Sequence, residues 1–197
     1  MTKAVLAMAL VAFVACKAEN RTGQPETDTT GTPTAETSTA TATTPGVSGG
    51  AVSTLSAEDK EFLVKAGMGG LYEVQAGNLA LQKAASADVK QFAQRMVTDH
   101  GNANTELTQL AMAKGVTVPS ELHGEHQSAF EHLSTLSGAE FDKAYMQHMV
   151  PDHQKDVAEF ERAAGGAADA EVKAWAGKVL PTLREHLQLA TTVGGKV

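Results

Sequence analysis

The stretch of sequence that decides the fold runs from residue 86 to residue 114 and reads SADVKQFAQRMVTDHGNANTELTQLAMAK. Its apolar residues recur every three or four positions, which is the pattern of a helix with one buried face. Ser86 and Asp88 are typical of a helix start, and Gly115 is typical of a helix end. This face, with one histidine near its middle, consists of Val89, Phe92, Met96, His100, Ala103, Leu107 and Leu110.

Three further segments repeat this pattern. The first segment begins at Ser56 and reaches about Ala85. The third long segment follows a capping box at residues 137–140 (Ser-Gly-Ala-Glu) and ends at residues 165–166. The fourth begins at Asp169 and reaches about Thr192. A shorter helix is predicted from Pro119 to about Leu136, in the connection between the second and third long helices. The sequence therefore predicts an all-α fold, a four-helix bundle with a short extra helix.

Each long helix carries one acid or histidine on its apolar face: Glu73, His100, His153 and His186. Glu73 precedes Ser86 by about 13 residues and His100 follows it by about 14, so an antiparallel pair places them side by side. His153 lies near the middle of its helix. His186 fits less well, and in a plain up-and-down bundle His148 matches its level better than His153 does.

Converging polar groups in a helical core favour a metal site, with a metal-free buried hydrogen-bond network as the alternative. One carboxylate and up to three histidines suit a single Zn, Cu or Fe ion. Secondary candidates are His148 and Met149, from a stretch rich in Met and His, and two acids, Asp99 beside His100 and Asp142 on the face of His153. Core packing is the stronger interpretation of the methionines.

Two questions about these helices stay open at the level of sequence. Pro151 and Pro181 each remove an amide donor inside a long helix, and the resulting kinks either redirect the histidines toward the centre or only curve the bundle. The histidines of the short helix, His123, His126 and His132, are predicted to face solvent.

The first 54 residues, about a quarter of the chain, are predicted to contain a signal peptide, a lipidation site and a disordered tether. Residues 1–15 combine Lys3 with a short apolar run, which is typical of a signal peptide. Ala15-Cys16 resembles a lipoprotein lipobox, so Cys16 is the predicted lipidation site. Residues 16–54 are rich in Thr, Ala, Gly, Pro and Ser, which predicts a disordered tether, and residues 55–197 form the predicted bundle. An ordinary secretory signal with an incidental cysteine is the alternative.

Composition narrows the classes of function. The formal net charge is −7, and the loss of Lys3 with the signal peptide makes it −8, which disfavours binding to nucleic acid. The chain lacks a phosphate-binding glycine loop and a dinucleotide fingerprint, and Cys16 is its only thiol. A role other than catalysis is therefore favoured.

Several ordered motifs resemble a bacterial family catalogued as domain of unknown function 4142. They are Leu71-Tyr72-Glu73-Val74, Phe92-Ala93 with residues 96–100 (Met-Val-Thr-Asp-His), Phe141-Asp142 with Tyr145, His153, and Leu180-Pro181 followed by His186. The resemblance implies a ferritin-like four-helix bundle in the bacterial envelope and lends no established activity.

Two expectations follow from this resemblance. The first, taken together with the lipobox, is an outer-membrane lipoprotein that faces the periplasm and is held to the membrane by its lipid anchor; whether it has a protein partner stays open. The second concerns the metal: no Glu-x-x-His pair falls on the buried faces, so a single ion is favoured over a di-iron centre.

Overall fold

Four long helices and one short helix make up residues 55–197, the part of the chain that the computed structural model describes. They are α1 (Ala57–Lys83), α2 (Ala87–Ala113), α3 (Gly124–Thr135), α4 (Gly138–Gly166) and α5 (Ala170–Gly194). The prediction of an all-α bundle with a short connecting helix is confirmed. The predicted signal peptide, Cys16 and the tether lie outside the described residues. Within residues 55–197, none of the helices combines the length and the apolar character needed to cross a membrane.

The long helices form a bundle with one crossover connection. Short turns make α1 antiparallel to α2 and α4 antiparallel to α5, and the remaining neighbours are α1 with α4 and α2 with α5. The start of α4 lies at the end of α1, since Asp142 bonds Ala85, so α1 and α4 are also antiparallel. Consequently α2 and α4 run in the same direction, and residues 114–137 return along the bundle between them. One such crossover is the connectivity of ferritin-like bundles.

Two buried aspartates tie each helical hairpin to the turn of the other. Asp142, near the start of α4, accepts hydrogen bonds from Ala85 N at 3.1 Å and Ser86 N at 2.8 Å, in the α1–α2 turn. Asp59, near the start of α1, accepts from Ala168 N at 3.3 Å and Asp169 N at 2.8 Å, in the α4–α5 turn. Both carboxylates, which are themselves buried, thus supply acceptors for backbone donors at the turn of the other hairpin.

Helix ends agree with the sequence at three starts and differ at two. Ser56, Ser86 and Asp169 accept capping hydrogen bonds from the first turns of α1, α2 and α5. The capping box predicted at Ser137 is wrong: its side chain makes no capping bond, because Gly138 adopts a φ of +64°, outside the helical range.

The short helix also begins later than predicted, at Gly124 instead of Pro119. The preceding segment is not helical, and Val118 packs so closely on α1 that a Cβ at Gly67 would lie 3.1 Å from Val118 Cβ. An extended segment covers about 3.3 Å per residue, against about 1.5 Å in a helix, so it returns farther along the bundle.

The core consists of two apolar clusters with a polar layer between them. The first contains Phe92, Tyr145 and Met149, and the second contains Leu107, Phe160 and Trp175. Along α2 and α4 the chain passes from the first cluster, through a histidine, to the second. Along α5 it passes in the reverse order, again through a histidine. The polar residues therefore lie at one level, the layer where a metal or a proton network would sit.

Candidate metal centre

The polar layer is built from one residue of each long helix. Glu73, His100, His153 and His186 expose 1%, 5%, 0% and 0% of their surfaces. A buried charge or imidazole needs partners, because burial strips it of the water that would otherwise solvate it. Four such groups in one layer therefore have to satisfy each other or a bound ion.

Glu73 lies between two of the histidines. Its Oε2 atom is 2.9 Å from Nδ1 of His100, and its Oε1 atom is 3.2 Å from Nε2 of His153. These distances are short, yet neither carboxylate oxygen nor His153 Nε2 has a hydrogen-bond partner of acceptable geometry among the described residues. The three atoms are close together, buried and unsatisfied, which is the state expected of atoms that share a ligand.

His153 shows which of its nitrogens is free. Its Nδ1 atom lies 2.9 Å from the carbonyl oxygen of Met149, one turn earlier in α4. A carbonyl only accepts, so Nδ1 carries the hydrogen and Nε2 of the neutral ring presents a lone pair toward Glu73.

His186 is fixed in the same way from the other side of the layer. Its Nε2 atom lies 2.8 Å from Oδ2 of Asp99, and its Nδ1 atom lies 3.2 Å from Nε2 of His100. Asp99 is held in turn by Arg95 at 3.2 Å. Although burial acts to raise it, the hydrogen bonds from His186 and Arg95 lower the pKa of Asp99. Asp99 is thus an ionised acceptor, and His186 Nδ1 presents its lone pair inward.

The hydrogens available in this layer do not match the contacts. Five contacts link the histidines to Glu73, to each other, to Asp99 and to Met149, and each needs one hydrogen between its two atoms. Three neutral imidazoles supply three hydrogens, and Glu73 supplies one when protonated and none when ionised. One or two contacts therefore place lone pair against lone pair unless further protons or a cation enter the layer.

The pKa values of the layer show how reluctantly protons enter. Burial lowers the pKa of His100 and of His186 to about 4. Burial also lowers the pKa of His153, against the charge of Glu73. Burial raises the pKa of Glu73 to about 7, with the neighbouring His153 acting in the opposite direction. At neutral pH the histidines are therefore neutral ligands, and Glu73 exchanges its proton readily.

The layer has the donor set of a transition-metal centre. His100, His153 and His186 each offer a donor atom, and these atoms all lie within 4.8 Å of one another. Imidazole nitrogen with carboxylate oxygen suits Zn, Cu and Fe, and donors of a tetrahedral ion with bonds of about 2.0–2.1 Å are about 3.3 Å apart. The closest contacts of the layer, 2.9–3.2 Å, are near that separation.

The structure therefore brings together all four residues that the sequence singled out. His186, which seemed displaced by level, lies in the layer, whereas His148 does not. The reason is the helix face: at about 100° per residue, His148 is turned by about 140° around α4 from His153, and it lines a cleft among α1, α3 and α4 instead. The rings of His153 and His186 meet with centroids 5.5 Å apart. Pro151 and Pro181 lie on exposed faces of uninterrupted helices.

The secondary candidates take other roles. Asp99 contacts His186 and orients it, whereas Asp142 binds the α1–α2 turn and not the layer. Met149 belongs to the first apolar cluster and meets His153 through its carbonyl oxygen. His123 and His132 are exposed, as predicted, but His126 is half-buried against Tyr72, with ring centroids 5.2 Å apart.

Sequence reasoning missed three polar residues near the layer. The hydroxyls of Tyr72 and Tyr145 are buried without a hydrogen-bond partner among the described residues. Half-buried Asp156 lines a small cavity together with Glu73 and His100. Burial, followed by the charges of Glu73 and Asp152, raises the pKa of Asp156 well above its usual value. Its position three residues after His153, on nearly the same helix face, was the available signal.

Known structures share the fold at low sequence identity. A DUF305 fragment from Deinococcus radiodurans superposes with a TM-score of 0.63 and 16% identity, over 73% of this chain and 99% of that one. CopM in the Cu(II)-bound form gives a TM-score of 0.59 and 17% identity, over 70% of this chain and 96% of that one. CopM in the Cu(I)-bound form gives 0.57 and 17%, over 68% and 93%.

Comparison with curated protein sequences gives no match. A family model does match, over residues 44–193, which include α1 to α4, all but the last residue of α5, and every residue of the polar layer. The chain therefore belongs to the family described as a domain of unknown function, DUF4142.

Proposed function

We propose that the bundle binds one divalent transition metal ion through Glu73, His100, His153 and His186, with Asp99 holding His186 in its binding tautomer. The observation that supports this most is the shortage of hydrogens in a layer whose contacts are 2.9–3.2 Å long, together with the unpartnered oxygens of Glu73. A divalent ion supplies positive charge at the place where lone pairs face one another.

Zn, Cu and Fe are the metals that suit this donor set. The single cysteine lies at position 16, so thiolate ligation is not available within the bundle. The CopM structures contain copper, and their likeness to this chain is one of fold alone. Copper therefore belongs in the panel of metals to be tested, alongside zinc and iron.

Sequestration or buffering is the role that suits the site. Catalytic zinc centres keep one coordination position for water or substrate, whereas structural centres are closed by four protein ligands. Here one ligand comes from each of the four long helices, and every ligand is at least nine-tenths buried. Such a site holds an ion tightly and excludes a substrate.

We place this bundle in the bacterial envelope, attached to the membrane through Cys16. The support is in the sequence: an apolar run up to Ala15-Cys16, a tether rich in small polar residues, and an acidic net charge. Mass spectrometry of the mature protein from its native host should show an acylated N-terminal Cys16. A mature chain that begins elsewhere and carries no lipid contradicts the anchor and leaves the metal site unaffected.

A metal-free polar network is the second candidate, and the pKa of Glu73 favours it. A carboxyl group with a pKa raised by burial to about 7 retains its proton in mild acid, and its hydroxyl can then donate a hydrogen bond to a histidine. The bundle would then be a structural or partner-binding module. The two functions differ in one measurable respect, because only the first makes stability depend on metal.

The test uses the full-length protein with Cys16→Ser, purified without an affinity tag and stripped of metal. Zn, Cu and Fe are titrated into the wild-type bundle and into variants with His100→Ala or His153→Ala. His132→Ala is the matched control, since His132 is exposed on α3. We expect a metal-dependent rise in melting temperature for the wild type and the control, and no such rise for the two layer variants, all with equal helical content. Identical melting curves with and without metal in the wild type would reject the metal site.

A further inference from the structure

A cleft of about 580 Å³ lies among α1, α3 and α4, on the outer side of the polar layer. Among its lining residues are His126, His148, Asp152, Asp156 and Glu159. We name it the outer cleft. Carboxylates and imidazoles together are groups that bind transition-metal cations in water.

A buried tyrosine marks the floor of the outer cleft. Tyr72 lines the cleft, exposes 1% of its surface and has no hydrogen-bond partner for its hydroxyl within residues 55–197. After burial, the charges of Asp152 and then Glu73 contribute most to raising the pKa of this hydroxyl. The hydroxyl therefore lies within electrostatic reach of an acid of the cleft and of the acid of the polar layer.

A second, smaller cavity lies against the layer itself. It measures about 20 Å³, which is room for about one water molecule or one ion. Glu73, His100, Asn104 and Asp156 supply its polar lining, and both carboxylate oxygens of Glu73 are without a hydrogen-bond partner. Asp156 is the acidic residue that lines both this cavity and the outer cleft.

Glycines open the wall of α1 between the two spaces. Gly69 lines the outer cleft, and a Cβ there would lie 3.9 Å from Oδ1 of Asp156. Gly70 lines the inner cavity, and a Cβ there would lie only 2.1 Å from Oδ1 of Asn104. The absence of a side chain at Gly70 thus lets Asn104 approach the backbone of α1, whereas Gly69 places Asp156 within ordinary contact distance of the same helix.

We propose that Asp156 is a transit ligand, which takes a transition metal ion from the outer cleft and passes it to Glu73 in the polar layer. This inference rests on the proposed metal site. Asp156 has the place and the chemistry for this step: a carboxylate that borders the solvent-filled cleft on one side and the cavity of the acceptor carboxylate on the other.

The opposite side of the bundle offers a competing approach, and charge favours the outer cleft. A cleft of about 260 Å³ between α2 and α5 also reaches His100 and His186. Its two cations are matched by two acids, in the pairs Arg95–Asp99 and Lys178–Glu106. Even without Asp156, whose pKa is raised, the outer cleft has three acids, Glu125, Asp152 and Glu159, against Lys65 and Lys155. Its excess of negative charge concentrates cations.

The chain contains its own probe for the test. Trp175 is the single tryptophan and lines the inner cavity. Binding of Cu(II) in the layer should quench its fluorescence, so stopped-flow mixing of the metal-free protein with Cu(II) measures the loading rate, and a separate titration measures the affinity.

We compare wild type with three variants. Asp156→Leu replaces the carboxyl group that lines both spaces by an apolar side chain, and Asp156→Asn keeps its shape without an ionisable group. Thr182→Leu narrows the α2–α5 cleft and is the matched control. We expect the wild type and the control to load at equal rates, and Asp156→Leu to load at least about tenfold more slowly with little change in equilibrium affinity. Asp156→Asn should load more slowly than wild type and lose part of the salt dependence of the rate.

Each contrary result has a definite meaning. Unchanged loading by Asp156→Asn overturns the route even if Asp156→Leu does not fold, and so does slow loading by Thr182→Leu alone. A loss of affinity in the Asp156 variants with an unchanged loading rate makes Asp156 a resident ligand, which also overturns it. A wild-type protein that binds no metal at equilibrium rejects the proposed function itself, whereas equal affinities with equal rates reject only the route.

Discussion

Nε2 of His186 lies 2.8 Å from Oδ2 of Asp99, and this contact decides which nitrogen of the histidine faces the polar layer. Without Asp99 the ring can carry its hydrogen on Nδ1. The nitrogen that faces the layer would then have no lone pair to offer a metal ion. We expect Asp99→Ala to weaken metal binding by about 10- to 100-fold, the usual effect of removing such an orienting group. Isothermal titration of the metal-free variant with Zn and Cu measures this.

Glu185→Ala is the control for Asp99→Ala. Glu185 contacts the same arginine, Arg95, at 2.7 Å but does not touch a histidine. Its removal should leave the metal affinity unchanged within about a factor of two. An exposed ion pair contributes less than about 1 kcal/mol to stability, so its loss should not disturb the packing of the layer. Equal losses in both variants would mean that Arg95, and not the orientation of His186, is what matters.

The free energy of unfolding of the metal-free protein should fall as the pH is lowered from 6.5 to 4.5. Burial lowers the pKa of His100 and His186 from 6.5 to about 4, so their contribution is present above pH 6.5 and is lost as the pH falls toward 4. Burial raises the pKa of Glu73 from 4.5 to about 7, so its contribution has the opposite sign across this range. The lowered pKa of His153 adds to the histidines and the raised pKa of Asp156 adds to the acids, so three histidines oppose two acids. The net slope is roughly 1 kcal/mol per pH unit.

Urea denaturation in the presence of a chelator, at pH steps from 4.5 to 6.5, measures this slope. Glu73→Gln removes the opposing contribution and should make the slope steeper. A flat profile in the wild type would show that the histidines of the layer are not buried as neutral rings.

Most of the helices, and the choice of the four layer residues, could be predicted because both follow from local sequence. The spacing of apolar residues around His100 fixes one face of α2, and the caps at Ser56, Ser86 and Asp169 fix where three helices begin. The capping box predicted at Ser137 was wrong because Gly138 has a positive φ. The amino-acid sequence alone does not reveal this angle, since glycine also adopts ordinary helical angles.

The partner of His186 could not be predicted from level alone, because it depends on which face of α4 packs inward. His148 and His153 are five residues apart, about 140° around the helix, and only His153 faces α5, whereas His148 lines the outer cleft. Asp156 was missed for a related reason: it faces a cavity that exists only once α1 and α4 are packed together.

Asp142→Ala should destabilise the bundle without affecting metal affinity. Its carboxylate accepts the hydrogen bonds of Ala85 N and Ser86 N, and the substitution removes the acceptor of these two part-buried donors. We expect a loss of about 1 to 3 kcal/mol in the free energy of unfolding, at roughly 0.5 to 1.5 kcal/mol for each hydrogen bond. Chemical denaturation measures it, and a metal titration below the melting temperature checks the affinity.

The matched control for Asp142→Ala is Asp88→Ala. Asp88 is half-exposed and paired with Lys196 at 2.7 Å, so its loss should cost less than about 1 kcal/mol. A large loss of metal affinity in Asp142→Ala, with the helices still formed, would restore Asp142 as a ligand.

Gly77 should not tolerate even one added carbon, although alanine is the better helix former. A Cβ at Gly77 would lie 2.9 Å from Cγ2 of Val97 and 3.2 Å from the backbone oxygen of Ala93. Val97 is β-branched and therefore stiff about its first side-chain torsion, and the backbone of α2 cannot yield without moving the helix. We expect the overpacking cost of about 1 to 3 kcal/mol to exceed the gain in helix propensity of about 1 kcal/mol. Gly101→Ala is the control, since nothing lies within 4 Å of its Cβ position. Gly77→Ala should have a lower melting temperature than the wild type. Gly101→Ala should have a higher one, which corresponds to a gain of roughly 0.5 to 1 kcal/mol in the free energy of unfolding. A stabilised Gly77→Ala would mean that α1 and α2 pack less closely at this point than the structure shows.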